Sequence, residues 1–173
     1  MKLQNNKDSK KLTSVLLAVY LIVLTWIIVF KMSLDIQLFQ EMNHRSINLI
    51  PFAGSLIVNG KVELSEIILN IVVFIPAGVY MGMLFGEKDF LRKIAPIFIV
   101  SLLYEALQYI LAIGASDITD LIDNTLGGAI GIVLYDILQR LLGERTIKIL
   151  NIFAVIGTVL VIGFLGLIIV ANM

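Results

Sequence analysis

The chain has no cysteine, one histidine, three prolines and one tryptophan in 173 residues. Without cysteine there is no disulfide, no thiolate metal site and no thiol nucleophile, and the redox compartment leaves no mark. A single histidine, His44, excludes any multi-histidine metal motif. Charge is also scarce. Only 15% of the residues are charged, against about 25% in an ordinary soluble domain, and the formal net charge is zero. A neutral chain has no bulk attraction for nucleic acid, so none is expected as a partner. Neither a nucleophile signature, nor a phosphate-binding loop, nor an internal repeat is present.

What the chain has in excess is hydrocarbon. Hydrophobic residues make up 59% of it and are gathered in blocks, each about the 20 residues that cross a bilayer as a helix. The expected fold is all-α: one polytopic membrane helix bundle over residues 1–173, with about five transmembrane helices. The spans fall near 12–30, 65–85, 94–113, 117–142 and 149–170. The basic start followed by an apolar run resembles a signal peptide. That run, LTSVLLAVYLIVLTWIIVF, is longer than a signal core of about 7–15 residues, and Lys31-Met32-Ser33 is no small-residue cleavage site, so it reads as an uncleaved first span. Residues 31–64 are too polar to span and too apolar for a free linker. A short interfacial helix through Leu34, Ile36, Leu38, Phe39 and Met42 is expected, then an irregular segment around Pro51, Gly54 and Asn59-Gly60. Pro76 should kink the second span. Pro96 falls near the start of the third, where its missing N–H does little harm.

Ten of the thirteen basic residues share one side of such a bundle: Lys2, Lys7, Lys10, Lys11, Lys88, Arg92, Lys93, Arg140, Arg145 and Lys148. Only Lys31, Arg45 and Lys61 fall on the other. That bias predicts the N-terminus inside and the C-terminus outside.

This orientation turns scattered polar residues into a place. Glu66 and Asn70 open the second span from outside, Glu105 and Gln108 lie in the outer half of the third, and Asp117, Asp120, Asp123 and Asn124 begin the fourth. Each pair at i,i+3 or i,i+4 shares a helix face. Asp136 alone among the intramembrane carboxylates falls in the inner half. Ionisable groups next to hydrocarbon are costly, so an acidic pocket opening outward is expected. Plainer roles stand beside this one. Asp117 suits the N-cap of the fourth helix, and Asp120 its first turn. Glu105 suits a carboxyl bridging helices, and Asn70, Gln108 and Asn124 suit helix–helix hydrogen bonds. Arg45 is either a phosphate or acid partner near the pocket or a solvated loop charge. Gly78, Gly82 and Gly86, with Gly127 and Gly131, form smooth strips for close helix approach, and a homo-oligomer through them is one outcome.

The motifs N-I-V-V-F-I-P-A-G at Asn70 to Gly78, E-A-L-Q at Glu105 to Gln108 and D-I-T-D-L-I-D-N-T-L-G-G at Asp117 to Gly128 together resemble the VanZ-like membrane family. R-S-I-N-L-I-P-F at Arg45 to Phe52 is similar to an outer-loop element of that family. The matching positions are Arg45, Asn48, Pro51, Asn70, Phe74, Pro76, Gly78, Glu105, Gln108, Asp117, Asp120, Asn124 and Gly127. The resemblance implies a bacterial cytoplasmic-membrane protein associated with low-level teicoplanin resistance. Many members carry an arginine shortly before the first aspartate; here that stretch is Gly114-Ala115-Ser116, so its role would pass to Arg45.

Several functions follow from these residues. The first is an envelope protein whose outer pocket binds a membrane lipid, a lipid-linked cell-wall precursor or the glycopeptide. The second is a membrane-embedded enzyme acting on a phosphate lipid. In it Glu105, Asp120 and Asp123 are the candidate catalytic residues, either holding a hard divalent cation such as Mg²⁺ or working as general acid and base. The third is a transporter or flippase, although one acidic cluster with only Asp136 beyond it makes no continuous path. The last is a structural partner of another membrane protein, for which the glycines would matter more than the acids.

Overall fold

In the computed structural model the described residues are 2–29, 44–52, 57–58, 61–62 and 64–171. Five long helices dominate: α1 (Lys2–Ile28), α2 (Ser65–Phe85), α3 (Phe90–Leu111), α4 (Ile118–Leu142) and α5 (Thr146–Ala171). Helices are what such sequences must form, because hydrocarbon offers the backbone no hydrogen-bond partner but itself. Four stretches are long and apolar enough to cross a membrane: Asp8–Ile28, Ser65–Phe85, Phe90–Leu111 and the 50-residue Ile118–Leu167, which takes in α4 and α5. Between those two helices lies a 3₁₀ turn, Gly143–Arg145. Gly143 there has a φ of +58°, a conformation that side chains with a Cβ disfavour. The Thr146 hydroxyl donates to the Gly143 carbonyl at 2.8 Å and closes the turn.

Four short strands were not expected. β1 (His44–Asn48) pairs in parallel with β4 (Ile113–Asp117), and β2 (Ile57–Val58) pairs antiparallel with β3 (Lys61–Val62). Residues 114–116, which fall between the third and fourth expected spans, are the middle of β4. The register sets Arg45 beside Gly114 and Asn48 beside Asp117. Neither strand alternates apolar and polar residues, so the local pattern carried no strand signal. Their pairing is imposed by the helices that deliver them. α3 stops where Ala112 turns left-handed, with a φ of 57° and its N–H donating to the Gln108 and Tyr109 carbonyls. The interfacial helix expected around Leu34 to Met42 lies outside the described residues.

One helix boundary differs from expectation. α3 begins at Phe90, so Lys93 is inside it and Pro96 sits in its second turn. α2 runs through Pro76 as a single helix.

The helices are ordered by one close contact. α2 and α4 run side by side in the same direction, and α3 runs back between their ends. A methyl group on Gly131 would land on the Ile75 carbonyl oxygen, one on Gly127 on that of Ile71, and one on Gly78 on that of Gly128. The glycine strips therefore face each other inside one chain and are not open to a second copy. Gly86 belongs to no strip; it caps α2, its N–H donating to the Gly82 carbonyl at 2.8 Å. Around this seam Phe74, Met83, Ile97, Tyr104, Ile132 and Tyr135 are buried. α1 joins through the Tyr20 hydroxyl, which donates to the Val73 carbonyl at 2.6 Å. α5 lies along α1, held by a buried Thr13–Asn151 hydrogen bond of 3.0 Å, and most of its length is exposed.

Candidate functional site

One end of the bundle collects the end of α1, the start of α2, the end of α3, the start of α4 and the β1–β4 pair. Asp117 is the hinge of this end. As the last residue of β4 it caps α4, its Oδ1 accepting from the Thr119 N–H at 2.8 Å. Its Oδ2 accepts from Asn48 Nδ2 at 2.9 Å, and its own N–H donates to Glu105 Oε2 at 2.8 Å. Asn48 Oδ1 accepts from the Ile50 N–H at 3.1 Å, and the Phe52 N–H donates to Thr119 Oγ1 at 3.0 Å. R-S-I-N-L-I-P-F and D-I-T-D are thus one docked unit, the loop fastened to the first turn of α4. Both Asp117 side-chain oxygens are occupied, so its role here is the cap and the tether. Replacing Asp117 with alanine removes both and is expected to cost about 1–2 kcal/mol, the range of a lost N-cap. Hydrogen exchange over residues 44–52 should speed up, and unchanged exchange there would contradict the tether.

Deeper in, Asn70 Nδ2 donates to Asp120 Oδ1 at 2.8 Å, joining α2 to α4. Asn124 Nδ2 donates to Ser101 Oγ at 2.9 Å, joining α4 to α3. Gln108 Nε2 donates to the Ile28 carbonyl at 3.0 Å, closing one of the carbonyls left over at the end of α1. The hydrogen-bonding role weighed for Asn70, Gln108 and Asn124 is therefore met by one side of each amide. Ser101 was not singled out by its sequence; the available signal was its place four residues before Glu105, on the same face of α3.

Several groups use only one side. Among the described residues, Glu105 Oε1, Gln108 Oε1, Asp123 Oδ2 and Asn124 Oδ1 are buried and have no hydrogen-bond partner. Their residues are 4%, 6%, 2% and 1% exposed. Buried polar atoms nearly always find partners, and leaving one without costs about 1–3 kcal/mol. Four such acceptors lie on two neighbouring helices, α3 and α4. Trp26 Nε1 on α1 is a fifth unpartnered atom, and it is a donor.

Charge converges here too. Asp120 lies within electrostatic reach of Glu105, Glu66, Asp117 and Asp123, and Asp123 within reach of Asp117 and Glu66. Glu66 is exposed, at the rim. Among the described residues no three His, Asp or Glu side chains come together closely enough to hold a metal ion. The strand register brings the Arg45 backbone to this end, while the side chains of Arg45 and His44 lie outside the described ones. At the opposite end Asp136 pairs with Lys93 at 2.9 Å, between α4 and α3. A separate apolar groove of about 460 Å³ lies among α1, α2 and α5, with Tyr20, Pro76 and Phe153 in its walls and no charged or amide side chain.

The family model described as VanZ/LLP1 matches residues 17–139. The chain belongs to the VanZ/LLP1 family. It is 38% identical over 144 residues to Protein VanZ of Enterococcus faecium, covering 83% of this chain and 86% of that one. No solved structure matches. The VanZ/LLP1 match begins in α1 and ends before the 3₁₀ turn, so it holds every residue of the acidic end and leaves out α5.

Proposed function

We propose that this VanZ/LLP1 member is a multi-pass protein of the bacterial cytoplasmic membrane that lowers glycopeptide susceptibility. Its acidic end faces outward and binds an envelope lipid headgroup or a lipid-linked wall intermediate. Five crossings with the N-terminus inside fit the ten-to-three bias of its basic residues and the reversal of the chain between α4 and α5. In that orientation the cluster from Glu66 to Asn124 meets the membrane surface where wall precursors and glycopeptides are found. Teicoplanin carries an acyl chain, so a protein that changes its membrane surroundings is a physically reasonable source of protection.

The observation that supports this reading most is the set of buried acceptors without partners. A purely structural cluster would satisfy itself, because each unsatisfied buried group subtracts from stability. Catalysis by Glu105, Asp120 and Asp123 receives less support, because the described carboxylates form no metal cage. Teicoplanin susceptibility of a sensitive Gram-positive host tests the proposal, comparing wild type, Glu105→Gln and Asp120→Asn at matched membrane levels. Wild type should protect, and both variants should fall back to the level of the empty host. Equal protection by all three would leave the cluster a scaffold and favour a partner-protein role.

A further inference from the structure

We infer that the group entering the acidic end is a primary ammonium, carried by the headgroup of an aminated lipid. The inference rests on the reading above and names the chemistry of the same site. The unpartnered atoms of α3 and α4 share one property, which Trp26 on α1 does not have. Glu105 Oε1, Gln108 Oε1 and Asp123 Oδ2 are all acceptors. The Gln108 assignment is fixed, because its nitrogen faces the Ile28 carbonyl, which only accepts. Asn124 Oδ1 adds a fourth acceptor, one helical position from Asp123. A phosphate brings only acceptors when fully ionised, and its charge would stand against Glu105, Asp117, Asp120 and Asp123. An ammonium brings three N–H donors and the opposite charge.

Its competitors fit less well. A divalent metal needs several oxygens on one small sphere, and no three acidic or histidine side chains of the described residues make one. A quaternary ammonium has the charge but no donor, so it would leave the acceptors as they are. Arg45, whose side chain lies outside the described residues, supplies one positive charge against five carboxylates at this end. The source of the ammonium follows from the surroundings: the cluster lies between membrane-length helices, with Glu66 exposed at its rim, and a lipid headgroup is the amine held at that depth.

Native mass spectrometry of the full chain tests this with phosphatidylethanolamine, phosphatidylcholine and phosphatidylglycerol of identical acyl chains. Phosphatidylethanolamine should be retained about tenfold over the other two, the effect of roughly one charge-assisted hydrogen bond. The preference should vanish in Asp123→Asn and Glu105→Gln, with thermal melting of each variant confirming that it is folded. Free ethanolamine separates the two sources of the group. If it displaces the lipid, the ammonium alone is recognised; if the preference persists in its presence, the lipid as a whole is. Equal retention of the three lipids, a preference for phosphatidylglycerol, or stabilisation by Mg²⁺ without a lipid preference would each overturn the inference. The susceptibility assay keeps the two proposals apart. Protection lost in the variants with no lipid preference leaves the pocket reading standing and removes this one. A clear ammonium preference with unchanged protection does the reverse.

Discussion

Replacing Gly131 with alanine is expected to prevent stable assembly of α2 against α4. The added methyl would occupy the position of the Ile75 carbonyl oxygen, with Gly78 Cα and Val79 N each 2.9 Å away. All three are backbone atoms, so no rotamer change makes room and the two helices must separate. Separation breaks the contacts on both sides of the seam, including the Asn70–Asp120 hydrogen bond at its acidic end. Overpacking of a core side chain costs about 1–3 kcal/mol, and a clash with rigid backbone belongs at or above the top of that range. Gly157→Ala is the matched control, since nothing lies within 4 Å of a methyl there. It removes a glycine from a helix interior and should be neutral or slightly stabilising, by up to about 1 kcal/mol. Unfolding of the two proteins in detergent, read by the fluorescence of the single tryptophan, Trp26, checks both. Equal midpoints would mean that the α2–α4 seam is not the contact described here.

At the other end of the bundle, Asp136→Asn should destabilise strongly while Lys93→Met should not. The pair is unequally buried: the Lys93 side chain is 5% exposed and that of Asp136 is 44% exposed. Removing the carboxylate leaves an ammonium enclosed by protein without a counter-charge. Removing the ammonium leaves a carboxylate that still reaches the surface. Breaking a buried pair costs about 3–5 kcal/mol, and the Asp136→Asn change should fall near the lower figure. Lys93 keeps the Tyr135 ring 5.9 Å from its ammonium, which recovers part of the loss. For Lys93→Met about 1 kcal/mol or less is expected, because a well-packed apolar replacement often offsets the lost pair. The double variant should then melt closer to Lys93→Met than to Asp136→Asn. Additive losses in that cycle would show that the two residues act independently.

Membership and helices were both legible from residues alone. The apolar blocks predicted spans that overlap all five helices, and N-I-V-V-F-I-P-A-G, E-A-L-Q and D-I-T-D-L-I-D-N-T-L-G-G led to the family that the comparison establishes. These features are local: a run of hydrocarbon must become a helix in a bilayer whatever its neighbours are. The start of α3 was misplaced by four residues because Lys93 and Arg92 look like loop charges. Lys93 is inside the bundle only because α4 brings Asp136 to it.

The glycines show the same division. Their four-residue spacing announced a close helix contact, but spacing does not name the partner helix. The fold chose it, by laying α2 parallel to α4. The β1–β4 pair had no sequence pattern at all, since a five-residue strand beside a helix end takes its conformation from what it is paired with. Among the acids, sequence determined that carboxylates and amides would gather at one end. The tertiary structure decided which of them are used up and which are not. Asp117 is filled by Thr119 and Asn48, and Asp120 Oδ1 by Asn70, while Glu105, Gln108, Asp123 and Asn124 each keep an oxygen with no donor among the described residues. The reason is physical: composition and period set which groups are present and on which face, but satisfaction of a hydrogen bond is a property of atom pairs, and those pairs exist only once the helices are in contact.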